Sequence, residues 1–542
     1  MANSTSANLP VTKPTNYGAL STLVTVFFFW GFIAASNSIF IPFCKSHFNL
    51  SQFESQLIGS AFYGAYFIGS LILFIVSNVL GYDILNRIGY KKGIIYGLLI
   101  SVVGALLIIP SANANSFPAI LASFFVVALG FSLQQTAAQP FAISLGDPAT
   151  GSHRLNLGGG VNSLGTTLGP IIVSFFLFGS VGSSAKEVTV TNINTLYLIV
   201  AGVFLAVALF FAFSKLPDGK NTEKFEKGNK AAGSLLLMTG LVIAIIITAQ
   251  LTNVPTLYLL IATLVFVIAI LFTSNARAEK NGDGWGAMKY PQLIYGMLGI
   301  FVYVGVEVTI DNNFGALLKT PGYLTDTGLN ESQISSYVSL YWGSLMIGRW
   351  TGAVSVFNLK GMSKVIAQII VPFIAFAVVL YVNHLYGSDI KNLYGYAACI
   401  AIAIVAFFFG QEKPVKTLVV VSLLATVAML IGVFSNGIIS VYAFMAGGLF
   451  CSVMWPCIFA LAIGGLGKYT GQGSAFLIMM ILGGAIIPPL QGSLGDMSAI
   501  GIHRSYLLAA VCFAFLAWLG IKLKAVLHKQ GLDFDEQIGG GH

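Results

Sequence analysis

Glu307 and Asp311 stand four residues apart inside an apolar run of a chain that is 56% hydrophobic and only 8% charged. That spacing puts both carboxylates on one helical face, a turn apart. An ionisable group at the centre of a membrane-spanning helix costs about 2.5–3.5 kcal/mol on insertion scales, so one that occurs there is read as functional. Two carboxylates this close do not both ionise freely without a proton or cation between them. The pair is therefore the expected ion-coupling element, for H+ or for Na+ held by oxygen ligands. The opposing reading makes Glu307 a conformational clamp on a polar neighbour and sets Asp311 at an aqueous mouth.

Amides form the second constellation. Asn37, Gln134, Gln135, Gln139 and Asn162 lie in apolar stretches early in the chain, and Asn312 and Asn313 follow Asp311 directly. Each offers donors and an acceptor, which suits sugar hydroxyls, while an aromatic face suits the apolar side of a pyranose. Gln135 and Gln139 share a helical face. With Trp455, preferred over Trp30 and Trp342 as a stacking surface, these are the expected substrate-binding residues. The plain alternative for each amide is an interhelical hydrogen bond, worth about 0.6 kcal/mol in membranes.

Such residues need helices to hold them in a bilayer. A soluble domain is roughly 25% charged, so this chain lacks the polar surface to cover itself in water. Apolar runs of about 20 residues recur, each long enough to cross a hydrocarbon core of about 30 Å as a helix. The expectation is an all-α polytopic membrane protein of sixteen spans, centred near 32, 68, 101, 130, 170, 204, 241, 264, 304, 345, 372, 401, 425, 451, 482 and 512. Basic residues test that count. Lys45, Lys186, Lys319, Lys391 and Arg504 fall on one side and the other 22 of the 27 on the opposite side, which makes that side and both termini cytoplasmic. The net charge of +8 then reads as membrane orientation, not as a nucleic-acid footprint.

The halves of the chain repeat each other. Phe29-Trp30-Gly31 followed by Asn37 matches Tyr303-Val304-Gly305 followed by Asp311; Tyr63-Gly64 matches Trp342-Gly343; Pro140 with Gly165 and Pro170 matches Pro456 with Gly483 and Pro488. Duplicated bundles with a site between them are a transporter signature. The expected organisation is a cytoplasmic tail at 1–19, a six-helix bundle at 20–215, a linker with an extra hairpin at 216–290, the first part of a second bundle at 291–363, a second extra hairpin at 364–410, the rest of that bundle at 411–526 and a cytoplasmic tail at 527–542.

Catalysis fits poorly. The six histidines are expected in loops or tails, the five cysteines have no metal-ligand spacing and are expected as small buried residues, and no phosphate loop or nucleophile elbow occurs. Gly158-Gly159-Gly160 has no preceding strand and reads as close helix packing, not a dinucleotide site. No enzyme activity, metal or cofactor is expected, beyond a coupling ion. The polar start, Met1 to Tyr17, lacks the features of a secretory signal.

These motifs resemble the major facilitator superfamily and, within it, the sugar:cation symporters that include L-fucose permease and bacterial glucose/galactose transporters. The resemblance rests on Phe29-Trp30-Gly31-Phe32, the run Ser60 to Phe67, Thr136-Ala137-Ala138-Gln139-Pro140-Phe141, Arg154-Leu155-Asn156-Leu157, the run Tyr303 to Val308, Ile347-Gly348-Arg349, Trp455-Pro456-Cys457-Ile458-Phe459 and the run Gly483 to Pro488. It implies two six-helix bundles rocking about a midplane site, with the two hairpins as additions. Three positions depart from the family pattern: Ser38 replaces an acid, Gln135 replaces another, and Gly159 replaces a glutamine. Coupling is therefore expected to have moved to Glu307 and Asp311. Asp83, Asn86-Arg87 and Gly89 to Lys92 resemble a weakened form of the superfamily's charged loop, so Asp83 and Arg87, with Arg349 as counterpart, are the expected gating residues. The function implied is import of a hexose or related sugar by a monomer in the plasma (bacterial inner) membrane, its partners the sugar and the lipid bilayer. An uncoupled facilitator, an exporter of drug-like solutes and a non-transporting scaffold or sensor are the alternatives.

Overall fold

The computed structural model describes residues 14–50, 52–178, 189–220, 226–252, 254–329, 331–357, 359–410 and 412–532, which are helical apart from turns and short connections. The first half comprises α1 (Tyr17–His47), α2 (Gln52–Leu80), α3 (Tyr90–Asn113), α4 (Phe117–Ser144), α5 (Gly151–Phe178) and α6 (Val190–Phe213). A hairpin follows, α7 (Asn229–Leu251) and α8 (Thr256–Lys280). Next come α9 (Pro291–Leu318) and α10 (Glu331–Ala353), a second hairpin of α11 (Gly361–Leu385) and α12 (Ala397–Gly410), and then α13 (Pro414–Phe434). The last three are α14 (Gly437–Ile463), α15 (Gly467–Gly495) and α16 (Gly501–Lys529). Among the described residues thirteen helical stretches are long and apolar enough to cross a membrane, and α1, α5 and α10 stand at the other three expected positions.

Packing repeats as the sequence does. In the first half α1 packs on α5, α3 on α4 and α6, and α2 on α4. In the second, α9 packs on α15, α13 on α14 and α16, and α10 on α14. The third place is thus taken by α13, and neither helix of the second hairpin occupies it. The paired glycines explain the close approach of first and fifth helices in each half. A Cβ on Gly31 would lie 1.9 Å from the Asn162 carbonyl oxygen, and one on Gly165 2.2 Å from that of Phe28. In the second half a Cβ on Gly483 would lie 1.9 Å from the Phe301 carbonyl oxygen, and one on Gly305 2.3 Å from Ile487. Small residues let backbones meet where hydrophobicity alone gives no drive between helices in lipid.

The paired prolines do different work. Proline has no N–H, so the carbonyl four residues earlier loses its helical donor. Pro140 frees the Thr136 carbonyl, which accepts from Ser474 Oγ of α15 at 2.7 Å. Pro456 does the same for Ser452, at a break within α14. Its carbonyl accepts from Arg349 Nε at 3.4 Å. Unsatisfied backbone costs several kcal/mol in a bilayer, so each freed carbonyl becomes a docking point.

The halves meet along two seams, α5 against α10 and the first part of α15 against α2 and α4. Hydrogen bonds across them lie toward the end at which the chain enters α1: Tyr17 Oη to the Val356 carbonyl at 2.7 Å, Asn86 Nδ2 to that of Lys468 at 2.8 Å, and Trp350 Nε1 to that of Gly160 at 3.1 Å. The hairpins flank these seams. α7 rests on α2 while α8 rests on α9 and α15; α11 packs on α10 and touches α5, and α12 packs on α13. Their outer faces expose Ile243, Ile246, Ile247, Ile366, Ile370 and Ile374, as lipid contact requires.

Gly31→Leu is expected to abolish folding or lower the melting temperature sharply, because neither backbone can yield 1–2 Å without disrupting the α1–α5 contact. Gly64→Ala, where a Cβ meets nothing within 4 Å, is expected to melt like the wild type in detergent.

Candidate functional site

Glu307 lies near the middle of α9 and is almost wholly buried. Tyr303, one turn back, donates from Oη to Glu307 Oε1 at 2.9 Å, and Arg349 Nη2 approaches the same oxygen at 3.5 Å. Tyr341 Oη donates to the Glu307 backbone carbonyl at 2.7 Å. Arg349 then spans outward to the first half: its Nη1 donates to Ser163 Oγ of α5 at 2.9 Å. Gly159 eases this reach, since a Cβ there would sit 3.1 Å from Arg349 Cδ and crowd it. The glycine that departs from the family pattern thus stands where the arginine passes. Gly158 similarly admits the Phe27 ring and Gly160 the Trp350 ring, so the glycine triplet is close packing as expected.

Asp311 sits a turn further along α9, hydrogen-bonded by Trp342 of α10. Its other oxygen, Oδ1, is buried without a hydrogen-bond partner among the described residues. Tyr63 of α2 packs opposite Gly484, where a Cβ would lie 3.2 Å from its ring, so the first half faces this acidic turn from across the seam. Trp455 is half-buried beside it, its ring centroid 6.1 Å from Tyr303 and stacked on Phe459 at 5.9 Å.

The amides separate into two groups. Gln134 is fully buried and uses both ends on protein: Trp30 Nε1 donates to its Oε1 at 2.6 Å, and its Nε2 donates to Ser101 Oγ at 3.1 Å. Asn162 donates to the Phe27 carbonyl at 3.0 Å, and Asn313 donates to Gln491 Oε1 at 3.0 Å. Gln135, by contrast, is half-buried and donates to Tyr66 Oη at 2.8 Å. Gln139, a turn further along α4, is itself buried, and Asn312 is exposed. The side chains of Asn37 and Ser38 lie outside those the structure describes.

The charged loop also lies at a seam. Asp83 caps the short helix Ile84–Ile88, accepting from the Asn86 amide at 3.0 Å, and its carboxylate faces Gly471 at the start of α15. Arg87 is exposed and stacks over the Tyr82 ring at 4.2 Å. Arg154, which motif reading placed only as a family marker, is fully buried and donates to the carbonyls of Ala142 and Ile143 at 2.9 and 2.7 Å, where the end of α4 favours a cation.

Sequence reasoning missed Tyr303, Tyr341 and Ser163 as members of the Glu307 network. Tyr303 alone carried a signal, its spacing of four from Glu307. The histidine expectation needs correction: His47, His153, His384, His503 and His528 all lie within helices, and His153, in the first turn of α5, is buried because α5 begins earlier than hydropathy indicates. Among the described residues the five cysteines form no disulfide, four of them buried and Cys399 half-buried.

Two outcomes follow from this arrangement. Gln134→Ala leaves the Trp30 N–H unpaired and is expected to cost about 1–3 kcal/mol of stability; the double change with Trp30→Phe, which removes the orphan, should recover part of it in thermal unfolding. Burial raises the Asp83 carboxyl to about 6. A folded value above the unfolded one means that the contribution of this group is fully present below pH ~4 and fades as pH rises through about 6. Melting temperatures of Asp83→Asn should therefore vary less between pH 4 and 7 than those of the wild type, by scanning fluorimetry.

Comparison with known proteins adds an independent line. The Major Facilitator Superfamily model matches residues 22–411. A glucose/galactose transporter of Brucella abortus is 32% identical over 526 residues, covering 96% of this chain and 99% of the relative. The L-fucose-proton symporter of Escherichia coli is 24% identical over 513 residues, covering 91% and 90%. A crystal structure of the E. coli fucose:proton symporter superposes with a TM-score of 0.63 at 22% identity, covering 93% of this chain and 98% of that one.

Proposed function

The chain belongs to the major facilitator superfamily, and on that premise we propose that it imports a hexose or related sugar across the bacterial inner membrane, coupled to a proton or sodium gradient. The relatives named above carry glucose, galactose or L-fucose, and the multi-pass helical bundle fits a membrane location. The observation that carries the reading is the network at Glu307: a carboxylate in mid-membrane, contacted by one arginine that also touches the opposite half.

That network supplies a coupling device. While Glu307 is ionised it holds Arg349, and Arg349 holds Ser163 across the α5–α10 seam. A proton on Glu307, or a sodium ion shared by Glu307 and Asp311, competes with the guanidinium for the carboxylate and loosens the seam. Gln135 and Gln139, with Asn312 and Trp455, present hydrogen-bonding groups and a ring face to the sugar; Gln134, Asn162 and Asn313 support the helices that carry them. Both termini are cytoplasmic, sixteen helices cross the membrane, and the transporter works as a monomer.

Proteoliposomes given a panel of radiolabelled sugars under separate proton and sodium gradients test the function. Accumulation of a hexose with one of the two ions is expected, and equilibration without accumulation under both would replace symport by facilitated diffusion. With Glu307→Gln or Asp311→Asn, sugar exchange should survive while accumulation falls about tenfold or more, since an amide keeps hydrogen bonds but neither releases a proton nor balances a cation. Wild-type accumulation in both variants would remove coupling from this helix. Topology has its own test: a single cysteine at Lys220 in a cysteine-free background should react with an impermeant maleimide only from the cytoplasmic side.

A further inference from the structure

The first hairpin lies beside the α2–α15 seam and is preceded by Glu226, whereas Glu412, after the second hairpin, keeps its side-chain contacts within the second half. We infer that the linker leading into the first hairpin is a latch that holds the cytoplasmic side shut, with Glu226 across the α2–α15 seam.

The latch is anchored by Asn78 at the end of α2. Its Oδ1 accepts from the Gly228 amide at 2.7 Å and its Nδ2 donates to Asn229 Oδ1 at 2.7 Å, tying the linker to the first half. From there Glu226 reaches the second half, with Lys468 Nζ at 3.0 Å, Lys289 Nζ at 3.4 Å and the Tyr469 hydroxyl as partners. The Tyr469 hydroxyl and the Lys468 ammonium hold its carboxyl down to about 2, so this latch stays charged at cellular pH.

The second hairpin is braced within its own half. Glu412, just after α12, pairs with Lys364 Nζ of α11 at 2.7 Å, accepts from Gln368 Nε2 at 3.0 Å and is hydrogen-bonded by Ser355. Burial raises its carboxyl, but Lys364 and Ser355 outweigh that and hold it below the ordinary value. Beside it is a cavity of about 30 Å³ lined by His153 and Asn156 of α5 together with Glu412, Gln368 and Ser355. His153 Nε2 and Asn156 Oδ1 point no hydrogen bond at any described residue, although the two residues are only 6% and 3% exposed. Orphaned buried polar atoms cost about 1–3 kcal/mol each, and the volume suits one bridging water with two to four polar partners. The charged groups facing His153 are Glu412, Arg154 and Lys364.

Opening toward the cytoplasm must part α2 from α15, so the latch breaks in that step. The helix it braces carries Gln472, which accepts from the Ala287 amide at 3.1 Å just before α9. The latch therefore sets the balance between the two access states without touching the sugar site.

The inference rests on the topology proposed above but needs no sugar for its test. Spin labels replace exposed Lys92 and Lys529, at the cytoplasmic ends of α3 and α16, in the full-length protein in lipid nanodiscs, and pulsed electron resonance reads their separation. Glu226→Gln should raise the open-to-closed ratio about twofold to fivefold, because an exposed pair is weak and screened by salt. Lys468→Met removes the partner side and must shift the ratio in the same direction, which decides the matter if the glutamate variant fails to fold. Unchanged distance distributions in the variants that melt like the wild type overturn the inference. A wild type that carries no sugar while its Glu226 variant opens leaves the latch standing and removes only the substrate assignment.

Discussion

The arrangement depends on one constraint: a carboxylate in mid-membrane must have a partner, and the partner must itself be satisfied. Glu307 has Arg349 at 3.5 Å and the Tyr303 hydroxyl at 2.9 Å. A buried ion pair is weak evidence for stability, because desolvation offsets most of the attraction, whereas removing one member leaves a charge stranded. Such a pair is better suited to switching than to holding. Everything near it serves the guanidinium: Gly159 clears its path, Ser163 receives one end, and Pro456 releases the Ser452 carbonyl for another. The switch therefore reaches into both halves of the molecule.

Much of this was legible in the sequence, for local reasons. Repeated Gly and Pro positions marked the duplication, Gly31 matching Gly305 and Gly165 matching Gly483, and the structure shows that these glycines make close contacts that any side chain would block. The two carboxylates announce themselves by the cost of putting charge in lipid. What was not legible depends on rotation about a helix and on contacts between distant segments. Gln134 and Gln135 are neighbours of identical chemistry, yet the 100° step between them turns one into the first bundle, where Trp30 and Ser101 consume it, and leaves the other half-buried on Tyr66. Arg349 read only as the gating counterpart of the charged loop, because its span across the seam involves Ser163, 186 residues away. His153 was misplaced because the polar first turn of α5 carries no hydropathy signal.

The departures from the family pattern also make physical sense together. Loss of acids at Ser38 and Gln135 removes charge from the first half, and the glycine at 159 opens space for a cation from the second. On the proposed reading these changes move ionic control to α9 and α10 and leave a neutral amide surface in the first half. The prolines fit the same division. Pro140 gives the first half a carbonyl that docks Ser474 of α15, and Pro456 gives the second half one that docks Arg349. Both contacts lie on the seams that alternating access has to open.

The most direct measurement of the central claim is the current that a sugar jump evokes from the reconstituted protein on a solid-supported membrane. With ion coupling seated at Glu307, the wild type gives a transient whose size follows the proton or the sodium concentration, and Glu307→Gln gives none while still exchanging labelled sugar. A current of wild-type size and ion dependence from Glu307→Gln would contradict the account.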